Sequence, residues 1–339
     1  MRLHLKPIAI LAFSLLVGPS GALAQDTKLI DAAKKEGGKV IVYGSLENET
    51  MDLIAAAIKK RHGLDVEYWR AASNKVTDRI ATESRAGKPG FDVVLTTDVT
   101  LQLISKDGFL GKYDSPSARF FPKEVINTTL GSPSYRNSII GIVYNTSAIK
   151  PADAPKSLED LVKPQYKGKV VFPDPSQHVT TAQWLTSLHK ILGKERADKF
   201  IRDLAASKPL LVESLTPAGE RITTGEAPIG VAFLKNVVFY GKKGVPLDYS
   251  RLGKFMGDGQ SIALAAKPMH FNGGRAFIDY FLGEESLKIM AGIGEFITRK
   301  GIYPPIADAD KIELVEMLDM NAAELKEKMA EYRKIFLQN

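Results

Sequence analysis

The chain has 339 residues, of which 44% are hydrophobic and 25% are charged, with a formal net charge of +7 and no cysteine. This composition is typical of a soluble globular protein and excludes intrinsic disorder, collagen and a coiled-coil rod. The length fits two domains of roughly 100–200 residues each, and the lack of cysteine excludes disulfides, thiolate metal sites and cysteine nucleophiles.

The first 24 residues have the features of a secretory signal peptide. Arg2 and Lys6 give a basic start, residues 8–17 form an apolar run too short to cross a bilayer, and small residues end at Ala24 before Gln25. Without this leader the chain has 44 basic and 39 acidic residues, a mild excess of +5. Because no cysteine is present to carry a lipid anchor, we expect an unlipidated protein exported to a bacterial periplasm.

From residue 27 onward, short β-branched runs alternate with amphipathic segments, which is the pattern of a parallel sheet covered by helices. In the first part a helix ends at Gly37 and Gly38. The predicted elements that follow are a strand at 39–43, a helix at 51–60, a strand at 65–69, a helix at 74–85, a strand at 91–95 and a helix at 99–106.

A second alternating series follows a long predicted strand at 138–144 and a turn at 145–147. Its predicted helices are at 158–162, 180–192, 196–206 and 218–223, and its predicted strands at 169–172, 209–212, 229–233, 245–249 and 261–265. From Gly274 on, the chain is predicted to be helical and to finish with an amphipathic helix at 322–336. No low-complexity linker separates the halves, so we expect strands to form a hinge between them.

These patterns predict an α/β protein of two lobes. The first lobe is expected to contain residues 27–137 and 262–300, and the second residues 138–261, with C-terminal helices at 301–339 docking on the lobes.

The common catalytic and nucleotide-binding signatures are missing from the sequence. It contains no G-x-S-x-G, H-E-x-x-H, P-loop or G-x-G-x-x-G motif. His178 and His189 are 11 residues apart, which is too far on a helix for a shared metal. The basic residues are scattered in pairs and triplets rather than clustered with aromatic side chains, so nucleic acid is not an expected partner.

Several segments, taken in order, resemble the extracellular solute-binding proteins that serve ABC importers, in the branch that contains ferric-iron binders. They are residues 30–37 (IDAAKKEG) with 40–43 (VIVY), 91–94 (FDVV), 167–170 (KGKV) with Asp174 and Pro175, 225–230 (GEAPIG), and 276–282 (AFIDYFL). The resemblance implies a two-lobed type II periplasmic binding protein fold that closes on a solute in the interlobe cleft. It further implies delivery of the solute to an inner-membrane ABC permease by a monomer that is not an enzyme and has no cofactor.

Open α/β sheets bind ligands beyond the carboxyl ends of their strands, where helices begin with unpaired N–H groups that favour anions. The candidate ligand-binding residues are therefore those that follow each strand, together with an arginine suited to a carboxylate or phosphate. In the first lobe and the crossover strand they are Ser45, Glu47, Ser73, Asn74, Thr97 and Arg136, and in the second lobe Ser176, Thr180, Thr181 and Lys235. No metal-binding residue is assigned.

The sequence favours an organic or phosphate-bearing anion over iron. Hard ferric iron needs phenolate and carboxylate oxygens, and iron-binding relatives carry a Tyr-Tyr pair where residues 233–236 here read Phe-Leu-Lys-Asn, and a histidine where residues 44–47 hold none. Lys235 would repel the cation, whereas Glu47 fits a ligand that also carries an amine or hydroxyls. A ferric-iron carrier remains the first alternative, and a secreted α/β hydrolase the second.

Overall fold

A computed structural model describes residues 21–337, without the side chains of residues 21–26 and 322. The predicted signal peptide falls mostly on residues 1–20, which lie outside the described residues, so it stays a prediction. Within the described part of the chain no helix is long and apolar enough to cross a membrane.

Helices and strands alternate along the chain. The strands are β1 (Lys39–Gly44), β2 (Asp65–Arg70), β3 (Val93–Thr97), β4 (Leu110–Gly111), β5 (Ile126–Asn127), β6 (Ser132–Asn145), β7 (Val170–Pro173), β8 (Leu210–Val212), β9 (Ile229–Phe233), β10 (Leu247–Tyr249), β11 (Lys254–Ala265), β12 (Phe296–Ile297) and β13 (Glu313–Leu314). The α-helices are α1 (Gly21–Lys35), α2 (Asn48–His62), α3 (Ser73–Arg85), α4 (Asp98–Lys106), α5 (Val179–Ser187), α6 (His189–Leu192), α7 (Lys194–Ala206), α8 (Leu215–Thr224), α9 (Asn236–Gly241), α10 (Phe271–Phe281), α11 (Glu284–Gly292) and α12 (Ala322–Leu337).

The main strands form one continuous path in the order β2-β1-β3-β11-β6-β9-β7-β8. At one end, β1 pairs in parallel with β2 and β3, and at the other end β7 pairs in parallel with β8 and β9. Between these parallel parts, β11 is antiparallel to β3 and β6, and β6 is antiparallel to β9. The long strands β6 and β11 therefore join the two parallel parts.

Each parallel part of the sheet has apolar side chains on both faces, as expected for strands covered by helices. In the first part, Val42 belongs to a core with α2, α10 and α11, whereas Tyr43 belongs to a core with α3 and α4. In the second part, the alternation along β6 sends Ile140 toward α5 and α7 and Ile139 toward α8. The cores thus form two groups, one at each end of the strand order.

Asp92 connects the first parallel part of the sheet to the start of α10, which is distant in sequence. Its buried carboxylate accepts hydrogen bonds from the backbone N–H of Ile41 at 2.8 Å and of His270 at 2.6 Å. His270 Nδ1 lies 2.9 Å from the same carboxylate. Since these partners are in β1 and directly before α10, Asp92 fixes how the helix that follows β11 packs on the sheet.

The two joining strands extend well beyond the predicted segments. β6 begins at Ser132 instead of 138, and β11 begins at Lys254 instead of 261. The missed part of β11 contains Gly257 and Gly259, which have low β propensity. A Cβ at Gly257 would lie 2.5 Å from the carbonyl oxygen of Ser138, so the close pairing with β6 requires a glycine that weakens the local strand signal.

Three helical predictions differ from the structure, and one helix was not predicted. Residues 158–162 form a 3-10 helix rather than an α-helix, and the predicted helix at 180–192 is divided into α5 and α6 at Leu188. The C-terminal part from 274 on is not continuously helical, because β12 and β13 lie within it, and residues 236–241 form the unpredicted helix α9. Short strands and single helical turns depend on their tertiary neighbours, so the sequence periodicity does not reveal them.

The last helix packs on the second part of the molecule. The Tyr332 hydroxyl lies 2.8 Å from the Thr186 hydroxyl on α5, and the Phe336 ring stacks on Phe172 of β7 at 5.8 Å. The lobe boundaries at residues 137/138 and 261/262 and the division at 301 stay predictions.

Candidate functional site

Two loops that follow buried strands bring opposite charges together. Glu47 follows β1 and the buried Leu46, and Lys235 follows β9 and the buried Leu234. Leu46 belongs to the core with α2, whereas Leu234 belongs to the core with α8. Lys235 Nζ donates a hydrogen bond to Glu47 Oε1. This contact therefore connects residues anchored in the two groups of cores.

A buried ion pair lies beside this contact. Arg136 is on β6 and Glu295 directly precedes β12, and their side chains are only 3% and 2% exposed. The Arg136 guanidinium pairs with Glu295 Oε1, and Lys235 Nζ donates to the same oxygen at 3.2 Å. Glu47, Arg136, Lys235 and Glu295 thus form one charge cluster of two acids and two bases.

Glu47 is the most exposed member of the charge cluster. Its side chain is 45% exposed, compared with 18% for Lys235, and its Oε2 lies 3.5 Å from Arg136 Nη2. Burial of the carboxylate opposes ionisation, but Arg136 and Lys235 outweigh it and lower the pKa of Glu47 to about 2. Burial likewise disfavours the Arg136 cation, but Glu295 and Glu47 outweigh it and raise the pKa of Arg136. Glu47 and Arg136 are consequently charged at neutral pH.

A second polar group lies along β11. The Thr180 hydroxyl, at the start of α5, donates to Asp258 at 3.3 Å, and the Ser261 hydroxyl donates to Asp98, at the start of α4, at 2.5 Å. Burial, reinforced by the charge of Asp98 and opposed by Thr180, raises the pKa of Asp258 to about 6. Burial also raises the pKa of Asp98. Carboxyl groups on and beside a joining strand therefore contact helix starts from both parts of the sheet.

Two other predicted residues lie at the ends of the first strands. The Ser45 backbone N–H donates to the Leu95 carbonyl at 2.9 Å, which keeps the loop after β1 against β3. The Thr97 hydroxyl accepts a hydrogen bond from the Thr100 N–H and caps α4. A capping role is the ordinary one for a threonine directly before a helix.

The predicted residues of α3 contact their own helix. Asn74 Oδ1 accepts a hydrogen bond from the Lys75 N–H at 2.9 Å, and the Ser73 carbonyl accepts one from the Thr77 hydroxyl at 3.1 Å. These contacts belong to the first turn of α3. The structure does not bring Ser73 and Asn74 into the ion pairs of the charge cluster.

The predicted residues before and in α5 stabilise the start of that helix. The Ser176 N–H donates to Asp174 at 2.8 Å, and the buried Thr181 hydroxyl lies 2.7 Å from His178 Nδ1. Burial lowers the pKa of His178 to about 4, so the ring is neutral at pH 7. Of the predicted second-lobe residues, Lys235 lies in the charge cluster and Thr180 reaches the joining strand.

Sequence reasoning missed Glu295 and Asp258. Glu295 lies three residues after the end of α11 and directly precedes the two buried residues of β12, and an acid beside buried apolar residues signals a buried partner. Asp258 lies between two glycines, and their low β propensity weakens the strand signal in the sequence. Among the described residues no group of three or more His, Cys, Asp or Glu side chains is arranged to hold a metal ion.

The fold and the junction define a class of protein. Two α/β parts joined by long strands, with polar side chains from both parts meeting at the junction, form the two-lobed type II periplasmic binding protein fold. The iron-bound HitA of Pseudomonas aeruginosa has this fold at a TM-score of 0.68, with 19% identity over 88% of this chain and 99% of that one. The fructose-6-phosphate complex of AfuA from Actinobacillus pleuropneumoniae superimposes with a TM-score of 0.67, at 18% identity over 88% and 96%.

The sequence comparisons give similarities to a family of binding proteins. Residues 88–247 match the family model described as bacterial extracellular solute-binding protein. A probable ABC transporter periplasmic-binding protein from Sinorhizobium fredii is 28% identical over 113 residues, which are 33% of this chain and 31% of the relative. Over these 160 of 339 residues the chain is similar to the bacterial extracellular solute-binding proteins. The predicted two-lobed α/β fold is confirmed, and the predicted family is the one whose model matches residues 88–247.

Proposed function

We propose that this protein captures a small polar solute with an anionic group, either an organic acid or a phosphate ester, and delivers it to an ABC permease. The proposal depends on where Lys235 and Arg136 lie. Both side chains contact acidic residues at the place where the two groups of cores meet. An arginine fork and a lysine ammonium are the side chains best suited to carboxylate and phosphate oxygens.

Binding is expected to work by lobe closure, without covalent chemistry. A solute that contacts both lobes binds the closed state more tightly than the open state and stabilises it. The remaining hydrogen-bonding groups of the cleft are proposed to come from the polar residues that follow the strands. These are Ser45, Ser73, Asn74, Thr97, Ser176, Thr180 and Thr181.

Two structural neighbours suggest different ligands, since HitA was solved with iron and AfuA with fructose 6-phosphate. At 18–19% identity these likenesses concern the fold alone. The ammonium group of Lys235 beside Glu47 favours the anion over iron, because the lysine charge opposes a cation at short range.

A thermal unfolding experiment with fructose 6-phosphate, inorganic phosphate and ferric citrate tests the proposal. A ligand present at 100 times its Kd stabilises a protein by about 2.7 kcal/mol, and the phosphate probes should give such a shift. Lys235→Met should remove it, whereas Lys242→Met, on the exposed end of the same segment, should retain it. A coloured iron complex without a response to either anion would instead favour the ferric carrier.

Recovery of the bound molecule distinguishes a carrier from a secreted hydrolase. The probe released after incubation should have an unchanged mass, and turnover would contradict a binding role. If the signal peptide is cleaved on export, the same purified material should start at Gln25. If the protein is a monomer, as expected, the material should elute from a sizing column as one.

A further inference from the structure

We propose that Glu47 is a built-in anion that occupies the solute's place and holds the ligand-free lobes together until the solute displaces it. The inference rests on the proposed function, because it deepens the role of the same site.

The four-charge cluster is already neutral without a solute. Arg136 and Lys235 supply two positive charges, and Glu47 and Glu295 supply two negative charges. An added anion would therefore bring excess negative charge into a partly buried site, which is strongly unfavourable. One carboxylate has to leave before a simple anion can pair with the two cations.

Only Glu47 is placed to leave. Both acids contact both cations, but Glu295 is only 2% exposed, so its removal would expose the interior of the junction. Glu47 is 45% exposed and stands on the loop directly before α2. Its inner oxygen Oε2 is buried and has no hydrogen-bond partner in the described structure, because Arg136 lies 3.5 Å away. The lysine contact is its single direct hydrogen bond to another side chain of the cluster.

A displaced Glu47 carboxylate also keeps a favourable position. It stands at the N-terminal end of a 15-residue helix whose first N–H groups it does not cap in this conformation. A carboxylate near such an end is stabilised by the helix dipole in more than one rotamer. The loss of the lysine contact is thus partly offset when the side chain turns toward solvent.

The contact also connects the two lobes. Leu46 anchors Glu47 in one core and Leu234 anchors Lys235 in another, so the ion pair can exist only when the two lobes are close together. Exchange of Glu47 for the solute would retain closure while replacing an internal anion with an external one. The expected ligand is therefore a compact anion without a cationic group for Glu47 to bind.

Small-angle X-ray scattering of the ligand-free protein from residue 25 onward tests directly whether Glu47 holds the lobes together. Glu47→Gln should increase the radius of gyration at low salt, and the wild type should approach the same value as salt screens the pair. Glu49→Gln, a matched exposed change two residues further along the chain, should behave as the wild type. Equal radii of gyration for all three proteins would show that Glu47 does not hold the lobes together, whether or not any anion binds.

Calorimetry with inorganic phosphate and fructose 6-phosphate tests the displacement. Glu47→Gln should bind the anions about tenfold more tightly than the wild type, because no internal carboxylate competes, and Glu49→Gln should not. Weaker binding by Glu47→Gln would mean that Glu47 contacts the solute and would overturn the displacement. If none of the proteins binds any anion, the proposed function fails, and the scattering result still decides whether Glu47 closes the lobes.

Discussion

Arg136 and Glu295 form an ion pair that is almost completely shielded from solvent, although neither residue lies in the middle of a hydrophobic core. Arg136 follows the buried Tyr135 on β6, and Glu295 precedes the buried Phe296 of β12. Tyr135 belongs to the core with α10 and Phe296 to the core with α8. The pair therefore joins the two groups of cores at the place where strands pass between them.

Removing one partner of this pair should be costly. Glu295→Gln leaves the buried guanidinium with the more distant Glu47, and we expect the free energy of unfolding to fall by about 3 kcal/mol. Urea denaturation measures the change. The half-exposed pair of Arg221 and Glu226 provides the control, because Glu226→Gln should cost less than about 1 kcal/mol. Equal effects of the two changes would contradict a special role for the buried pair.

Asp258 should make stability depend on pH. Its pKa is raised to about 6 from an ordinary value of 3.8, so the folded state binds more protons and stability falls as the pH rises between these values. Asp258→Asn should then stabilise the protein at pH 7, by at most about 3 kcal/mol for a shift of this size, and the gain should disappear near pH 3.5. Denaturation at both pH values measures it, with the exposed Asp52→Asn as control. A gain of the same size at low pH would show that removal of the charge is not the cause.

Gly230 should tolerate no side chain. A Cβ there would lie 2.2 Å from the Val171 carbonyl oxygen and 2.5 Å from Val171 Cγ1, on the neighbouring strand β7. Gly230→Ala is expected to lower the free energy of unfolding by about 3 kcal/mol through overpacking. Gly241→Ala, where nothing lies within 4 Å, should be neutral or slightly stabilising at the end of α9. Unchanged stability of Gly230→Ala would mean that β7 and β9 can separate without cost.

Asp92 should be needed for the packing of α10. Asp92→Ala leaves the backbone N–H groups of Ile41 and His270 without their acceptor, and a buried unsatisfied group costs about 1–3 kcal/mol. We expect a loss of roughly 4 kcal/mol in urea denaturation, from the two groups together. Asp31→Ala, on the exposed face of α1, is the comparison and should change little. Rapid amide hydrogen exchange at Ile41 and His270 in the variant would place the damage at these bonds.

Local patterns in the sequence were enough for the strands of the two parallel parts. The run 39–43 and the run 229–233 are β-branched and apolar, and the structure has strands there because both faces are buried. The same reasoning fell short for β6 and β11, where Pro133, Gly257 and Gly259 weaken the local signal. Pairing along the full length of the two joining strands, rather than intrinsic propensity, extends them.

The sequence by itself determined the alternation of strands and helices and the likeness to solute-binding proteins, and it predicts ligand-binding positions at the strand ends. Those properties depend on side-chain periodicity and on short ordered segments, which are readable along the chain. Only the tertiary structure decided that Lys235 meets Glu47, which is 188 residues away, and that Glu295 joins them. A charge has no periodic signature, and its partner is chosen by how the loops after distant strands come together when the cores pack.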